Sequence, residues 1–600
     1  MRRPCRLFVF IVLSAHGAMG PVRAETKPPG TIAWRDWSDG LFAQARLEKR
    51  LVLLDLGAVW CHWCHVMEET TYKDPVVVSL VSSHFLAVRV DQDARPDLSN
   101  RYEDYGWPAT VVFDEDGHEL VKFAGYIPPP RMRSLLQAII DDPTPGPSVR
   151  PEAALVRAGD AGLAPSLRDE LRGLLAGRYD REHGGWGFEK KFLDWDSVEY
   201  CLLGAREGDR DAEGMARETL DAQLKLIDPV WGGVYQYSHG GDWDHPHFEK
   251  IMQMQAENLR IYSQAYGYWH DPRYLKAAEE IHRFLRGFLL GPEGAFYVSQ
   301  DADLVRGEHA GAYFALSDAE RRARGIPRVD THVYARENGW AVQALASLYA
   351  ASGDEEPLKE ALQAATWIVE RRSLPGGGFR HDEVDSAGPY LGDTLSAGRA
   401  FLTLYSVTGD RAWLERAQAA ASFIAGHFRR EGTPGFVTSQ ATSGLPTQPQ
   451  RDENIALARF ANLLAQYTGK PEQRGLAEEA LAYLAIPEVA RRFSTAGVLL
   501  VDRELRSAPL HVTVVGIRSD PRAQALLRAA IAEPTAYKRV ELWDPREGPL
   551  PRADIEYPTL RTAAAFVCGE GRCSSPLLEP AVLRARLAES AAATANGGRS

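Results

Sequence analysis

Apolar and polar positions divide the chain into three patterned stretches. In residues 25–141 short apolar runs alternate with amphipathic segments. Leu51–Gly57, Phe85–Val90 and Thr110–Phe113 read as strands, and Asp39–Glu48 and Pro75–Ser82 as helices. Asp116-Gly117, between Val111–Phe113 and Leu120–Phe123, predicts a hairpin. Residues 142–159 read as a linker, because Asp141–Pro151 carries four prolines. From 160 to 507 amphipathic helical patterns dominate and two signals recur. One is a turn: Gly208-Asp209, His270-Asp271-Pro272, Gly353-Asp354, Gly409-Asp410 and Gly469-Lys470. The other is a glycine followed by an aromatic: Gly185-Trp186, Gly233-Val234-Tyr235, Gly294-Ala295-Phe296, Gly378-Phe379 and Gly435-Phe436. The repeat is helix, turn, helix, glycine-aromatic loop, at roughly 50–80 residues. A helix pair cannot bury its apolar face alone, so the pairs must stack. About six pairs predict an (α/α)6 toroid, with an open solenoid as the alternative. Residues 508–590 return to α/β, with strands Leu510–Val515, Arg539–Trp543 and Ala563–Val567, and helices Pro521–Ala532 and Pro580–Glu589. Residues 591–600, mostly small or polar, read as a disordered tail.

Residues 1–24 carry a different pattern. Arg2, Arg3 and Arg6 precede an apolar stretch, Leu7–Met19, and Val22-Arg23-Ala24 places small residues before a cut at Glu25. This is the three-part signal-peptide pattern, and it predicts an exported, periplasmic or extracellular protein. No apolar run reaches the roughly 20 residues of a membrane helix, so no span is expected after cleavage. Hydrophobic residues at 45% and charged residues at 25% exclude a wholly disordered chain. A net charge of −12 with no basic block argues against nucleic acid as a partner.

Beyond the leader, the cysteines are Cys61, Cys64, Cys201, Cys568 and Cys573, too few for a disulfide scaffold. Cys201 lies in the apolar helical stretch Ser197–Ala205 and reads as a small core residue. Trp60-Cys61-His62-Trp63-Cys64-His65 admits three chemistries. C-x-x-C after a strand and at a helix start suits thiol–disulfide exchange, since the helix N-terminus favours a thiolate. Trp107-Pro108, running into a strand, supplies the proline such a site needs opposite its cysteines. Haem attachment through Cys61, Cys64 and His65 fits the letters, but not the strand before or the Trp-Pro after. A metal site would need a second ligand pair nearby, and none is present at matching spacing. The exchange reading makes Cys61 the attacking and more exposed thiolate and Cys64 the resolving sulfur. Trp60, His62, Trp63 and Pro108 support them, and His62 when protonated stabilises the thiolate. It implies no cofactor beyond the redox-active disulfide, no metal, and a thiol- or disulfide-bearing partner protein. A static disulfide is the plain alternative.

Residues 32–141 resemble the thioredoxin-like domain of the spermatogenesis-associated protein 20-like family. The resemblance rests on Trp34, Trp37, Cys61-His62-Trp63-Cys64-His65-Val66-Met67-Glu68, Val90-Asp91, Arg95-Pro96-Asp97 and Gly106-Trp107-Pro108. It extends through Gly184-Gly185 with Lys191-Phe192, His247-Phe248-Glu249-Lys250, Asp301-Ala302-Asp303, Gly392-Asp393, and Ala565 to Cys573. It implies a thioredoxin fold joined to a six-hairpin, glycosidase-like toroid and a small C-terminal α/β part. The chain departs from the family at Trp60, in the short segment from Asp97 to Trp107, and at Met254-Gln255, where the family tends to have Asp-Asn.

Within the toroid, His245, His247, Glu249, Asp301, Asp303 and Asp393 are the candidate site residues, with His239, Glu337 and Glu453 beside them. The aromatics Trp186, Tyr235, Tyr237, Trp243, Phe248, Trp340 and Tyr390 lie close in sequence. Carboxylates with aromatic platforms suit a carbohydrate ligand, and histidine pairs suit proton abstraction. Cys568 and Cys573 enclose four residues and read as a structural disulfide. The function expected is an exported thiol–disulfide oxidoreductase whose toroid binds a partner or glycan. A carbohydrate-active enzyme and a non-catalytic scaffold are the alternatives.

Overall fold

The computed structural model describes residues 30–149, 162–440, 444–558, 560–569 and 572–597. The leader and most of the linker lie outside the described residues. The N-terminal domain is a four-stranded sheet in the order β2-β1-β3-β4: β1 (Leu51–Gly57), β2 (Phe85–Asp91), β3 (Ala109–Phe113) and β4 (Glu119–Ala124). Strands β1 and β2 are parallel, while β3 runs antiparallel to β1 and to β4. Four of the helices packed around it are α1 (Leu41–Glu48), α2 (His62–Glu69), α3 (Pro75–His84) and α4 (Pro96–Tyr102). A fifth, α5 (Pro129–Asp141), packs on α3. The central strand β1 is buried on both faces, as its largely apolar run Leu51–Leu56 requires; Asp55 is its one charged residue and is buried.

The helical region is closed. Six inner helices, 195–206, 252–269, 335–352, 391–408, 451–468 and 496–506, contact one another in sequence, and the last returns to the first. Outer helices 210–223, 272–284, 355–372, 411–427 and 471–484 each pack on their inner partner, and helix 165–177 completes the sixth pair with 496–506. This is the (α/α)6 toroid rather than the open solenoid.

The recurring turn is local capping chemistry. Inner helices end on a left-handed residue: His270, Gly353, Gly409 and Gly469 have φ between 52° and 75°. The next residue, Asp271, Asp354 or Asp410, accepts backbone N–H bonds as the N-cap of the outer helix. The glycine-aromatic loops are clamped by the fourth residue of the following inner helix. Gln255 bonds both backbone groups of Val234, Asn338 those of Phe296, and Asn454 those of Phe436. Gln255 therefore fills the amide role despite the departure from Asp-Asn, whereas Met254 removes a carboxylate present in three of the other inner helices as Glu337, Asp393 and Glu453. Asn338→Ala should orphan two buried backbone groups at about 1–3 kcal/mol each. A lowered denaturant midpoint for the toroid would check this.

The C-terminal region repeats the strand order of the first domain. Strand 510–515 lies between the parallel strand 538–543 and the antiparallel strand 564–569, which pairs with Arg572-Cys573. Cys568 and Cys573 face each other across that last pairing and are disulfide-bonded. The final helix runs Pro580–Gly597, past Glu589 and into the segment read as a disordered tail. Its apolar start, Leu583 and Leu587, is buried in the core, which anchors it.

Candidate functional site

Strand β1 leads directly to the start of α2. Cys61 is the N-cap residue, with extended backbone, and its sulfur accepts a hydrogen bond from the Cys64 amide at 3.2 Å. Cys61 and Cys64 are disulfide-bonded. Trp107-Pro108 is a cis peptide at the head of β3, and Trp107 packs against the cysteine cluster. The Trp60 indole donates to Asp93 Oδ2 at 2.7 Å, and Asp93 offers its carbonyl to His381 Nε2.

The toroid completes this site. Asp303 bridges both histidines of the motif: its Oδ1 lies 2.7 Å from His62 Nδ1 and its Oδ2 3.0 Å from His65 Nδ1. The other ring nitrogen of His65 faces the Val59 carbonyl. Asp301 stands 3.7 Å from His65 Nδ1. Glu249 accepts from the His62 backbone N–H at 3.2 Å, occupying the positive end of α2. His247 lies 4.0 Å from Glu249 and stacks on Tyr237. The ligand atoms of His65, Asp301 and Asp303 fall within 4.8 Å of one another, a grouping that could hold a metal ion.

Four segments that lie far apart in sequence, Cys61–His65, His247–Glu249, Asp301–Asp303 and Trp107-Pro108, thus meet at one junction. The remaining candidates sit elsewhere. Asp393 accepts from His381 and from the Arg336 amide, bracing the loop that carries Asp93. His245 is exposed and pairs with Asp242. Lys250 and Lys191 are buried clamps on Asp228 and Asp180 and on the glycine loops beside them.

The junction reverses one expectation. Cys61 is only 3% exposed, within a small cluster with Ala58 and Trp60 against which Trp107 and Ile251 of the toroid pack; Cys64 is half-buried and is the more open sulfur. Beside Cys64, Trp63 is exposed and stacks on Tyr126. No sequence signal marked Asp93, His381 or Tyr126, whose roles depend on contacts between distant segments.

Charge at the junction is set by burial and pairing. Burial opposes charge on His62, but its bond to Asp303 and the field of Asp303, Glu249 and Asp301 outweigh it and raise its pKa. Burial also opposes the charge of Asp303, yet the bonds from His62 and His65 hold it at about 2. Glu249 is pushed up to about 7 and Asp301 to about 6, both chiefly by burial. His247 is pushed down to about 3 by burial and by His239.

Behind the junction, a chamber of about 340 Å³ lies between the toroid's inner helix starts and the N-terminal domain. Trp107, Trp195 and Trp340 line it with Asp196, Glu337, Glu453 and Arg399. Burial lifts Asp196 and Glu453 to about 7. His247, Glu249, Asp301 and Asp303 do not line this chamber.

Residues 23–141 match the family described as "Protein of unknown function, DUF255". Spermatogenesis-associated protein 20 of Homo sapiens is 30% identical over 335 residues, 48% of this chain and 42% of that protein. Thioredoxin-1 of Drosophila melanogaster is 32% identical over 78 residues, 13% of this chain and 69% of that protein. The chain therefore spans about two fifths of the length of the spermatogenesis-associated relatives it matches. A solved sugar epimerase from a ruminal bacterium superposes with a TM-score of 0.41 at 16% identity, covering 53% of this chain and 86% of that one. With its strand, Cys-x-x-Cys helix and cis-proline at the head of β3, the chain belongs through its N-terminal domain to the thioredoxin family and is a homologue of spermatogenesis-associated protein 20.

Proposed function

We propose that the protein is a thiol–disulfide oxidoreductase whose Cys61–Cys64 pair exchanges with a thiol- or disulfide-bearing partner at the Trp63 face. The observation that carries this reading is the convergence of Glu249, Asp301 and Asp303 on the two histidines and the first turn of the Cys-x-x-Cys helix. A static disulfide has no need of buried charge pairs imported from a second domain. Exposed Trp63 beside the open Cys64 offers the partner an apolar contact. The Arg2–Ala24 pattern supports action after export, where such pairs can be kept oxidised.

The test is catalysed exchange. Purified full-length protein should accelerate electron transfer from dithiothreitol to oxidised glutathione, and the Cys61→Ser/Cys64→Ser double variant should not. Equal rates for the two proteins would sink the reading.

The chamber favours a second reading, a polar small-molecule site such as a carbohydrate pocket in the toroid. Three tryptophans and neutralised carboxyls offer stacking faces with paired donors and acceptors. Soaking with a panel of sugars and finding no density between Trp195 and Trp340 would count against it.

A further inference from the structure

We propose that Glu249, a residue of the toroid, holds and returns the proton that the Cys61 sulfur exchanges during disulfide opening and closure. The inference rests on the thiol exchange proposed above and assigns the proton in it. Its first support is position. The Cys61 sulfur and Glu249 Oε1 both accept from the first turn of α2, the sulfur from the Cys64 amide and the carboxylate from the His62 amide, each at 3.2 Å. A carboxylate and a developing thiolate therefore compete for the same positive helix end, and only one of them is favoured as an anion at a time.

The second support is the free oxygen. Glu249 is 2% exposed, and its buried Oε2 has no hydrogen-bond partner among the described residues. His247 Nδ1, at 4.0 Å, is too far to bond it. An unpaired buried oxygen costs far more on a charged carboxylate than on a neutral, protonated carboxyl. The carboxylate of β1, Asp55, is instead paired with Arg89 at 2.9 Å and Tyr72 at 3.1 Å. Burial raising Glu249 to about 7 agrees with a group that gains and loses a proton near neutrality. The charged and titratable groups facing it are His62, Asp303, His247 and Tyr237.

A partner thiolate attacks the open Cys64 sulfur; the new S–S bond forms as the Cys61–Cys64 bond breaks, and the electron pair leaves on Cys61. Glu249 passes its proton to that sulfur, giving a Cys61 thiol and a Glu249 carboxylate. A second partner thiolate then attacks the partner sulfur of the mixed disulfide and releases Cys64 as a thiolate; of the two protons given up by the partner thiols one protonates Cys64 and the other goes to solvent, so Glu249 stays a carboxylate in the reduced protein. The net change is one protein disulfide and two thiols converted to one protein dithiol and one partner disulfide. In reverse, Glu249 takes the proton from Cys61 as that sulfur attacks.

The test uses the reduced full-length protein, with alkylation of Cys61 by iodoacetamide followed by mass spectrometry from pH 5 to 9. Glu249→Gln should move the apparent Cys61 pKa downward, because a negative neighbour is gone. The pH profile for closure of the Cys64–glutathione mixed disulfide should also lose the step that titration of Glu249 gives it in the wild type. Infrared difference spectra of the wild type on reduction should show loss of a protonated carboxyl band, absent from Glu249→Gln; this arm does not depend on how well the variant folds. Unchanged alkylation and closure profiles, or an infrared spectrum without that band, would overturn the role of Glu249 while leaving exchange intact. A wild-type pair that never exchanges would overturn the reading beneath it, and the Glu249 role with it.

Discussion

In a Cys61→Ser variant, Cys64 is expected to capture oxidised glutathione as a mixed disulfide that persists. In Cys64→Ser, capture at Cys61 should be at least about tenfold slower, since exchange depends on access as well as on thiolate fraction. Cys61 is 3% exposed in the cluster against which Ile251 and Trp107 pack, whereas Cys64 is half-buried beside exposed Trp63. The helix N-terminus still favours a thiolate at Cys61, but Glu249 already draws on that field. Mass spectrometry of the two variants against a time course of glutathione capture checks the order. Faster capture by Cys64→Ser would restore Cys61 as the attacking sulfur.

Asp303→Asn is expected to be the most damaging change at the junction that leaves both cysteines in place. The side chains of His62 and Asp303 are 9% and 2% exposed, and breaking a buried pair costs about 3–5 kcal/mol. The same change weakens the acceptor facing His65 and the one that holds the Gly307 amide at 2.9 Å. The pH dependence has two edges. Asp303 lies at about 2 against an ordinary 3.8, so its contribution is present above 3.8 and lost as pH falls toward 2. His62 is raised from 6.5, so its contribution is full below 6.5 and lost as pH rises through its folded value. Protection of the α2 amides from hydrogen exchange should therefore be greatest between about pH 4 and 6.5 in the wild type. In Asp303→Asn that plateau should flatten. A variant with the wild-type plateau would show that the pair does not hold the junction.

The repeat was legible in the sequence because its causes are local. A left-handed C-cap followed by an Asp N-cap is written in two adjacent residues, as at Gly353-Asp354 and Gly409-Asp410. The strands of the first domain were legible for the same reason, through unbroken apolar runs such as Leu51–Leu54. Closure of the ring was expected only from the number of helix pairs and the family resemblance, since nothing in helix 496–506 itself announces that it packs on helix 195–206. The site was legible in its parts and misread in its assembly. His247, Glu249, Asp301 and Asp303 stand out in sequence as polar groups beside aromatics, which suggests a sugar funnel. Three of them are instead spent on the disulfide helix, through contacts spanning 187 to 241 positions along the chain. The same distance hid the burial of Cys61, because Ile251, which packs against its cluster, belongs to another domain.

The measurement closest to the central claim, that the toroid completes a working redox site, is the midpoint potential of Cys61–Cys64 in the full-length protein beside Asp303→Asn. The account predicts a reversible two-electron couple in the wild type, within about −120 to −270 mV. It predicts a more reducing couple in Asp303→Asn, by about 30 mV for each 1.4 kcal/mol of thiolate stabilisation lost with the charge on His62. A pair that cannot be cycled, or one whose potential is the same in both proteins, would contradict it.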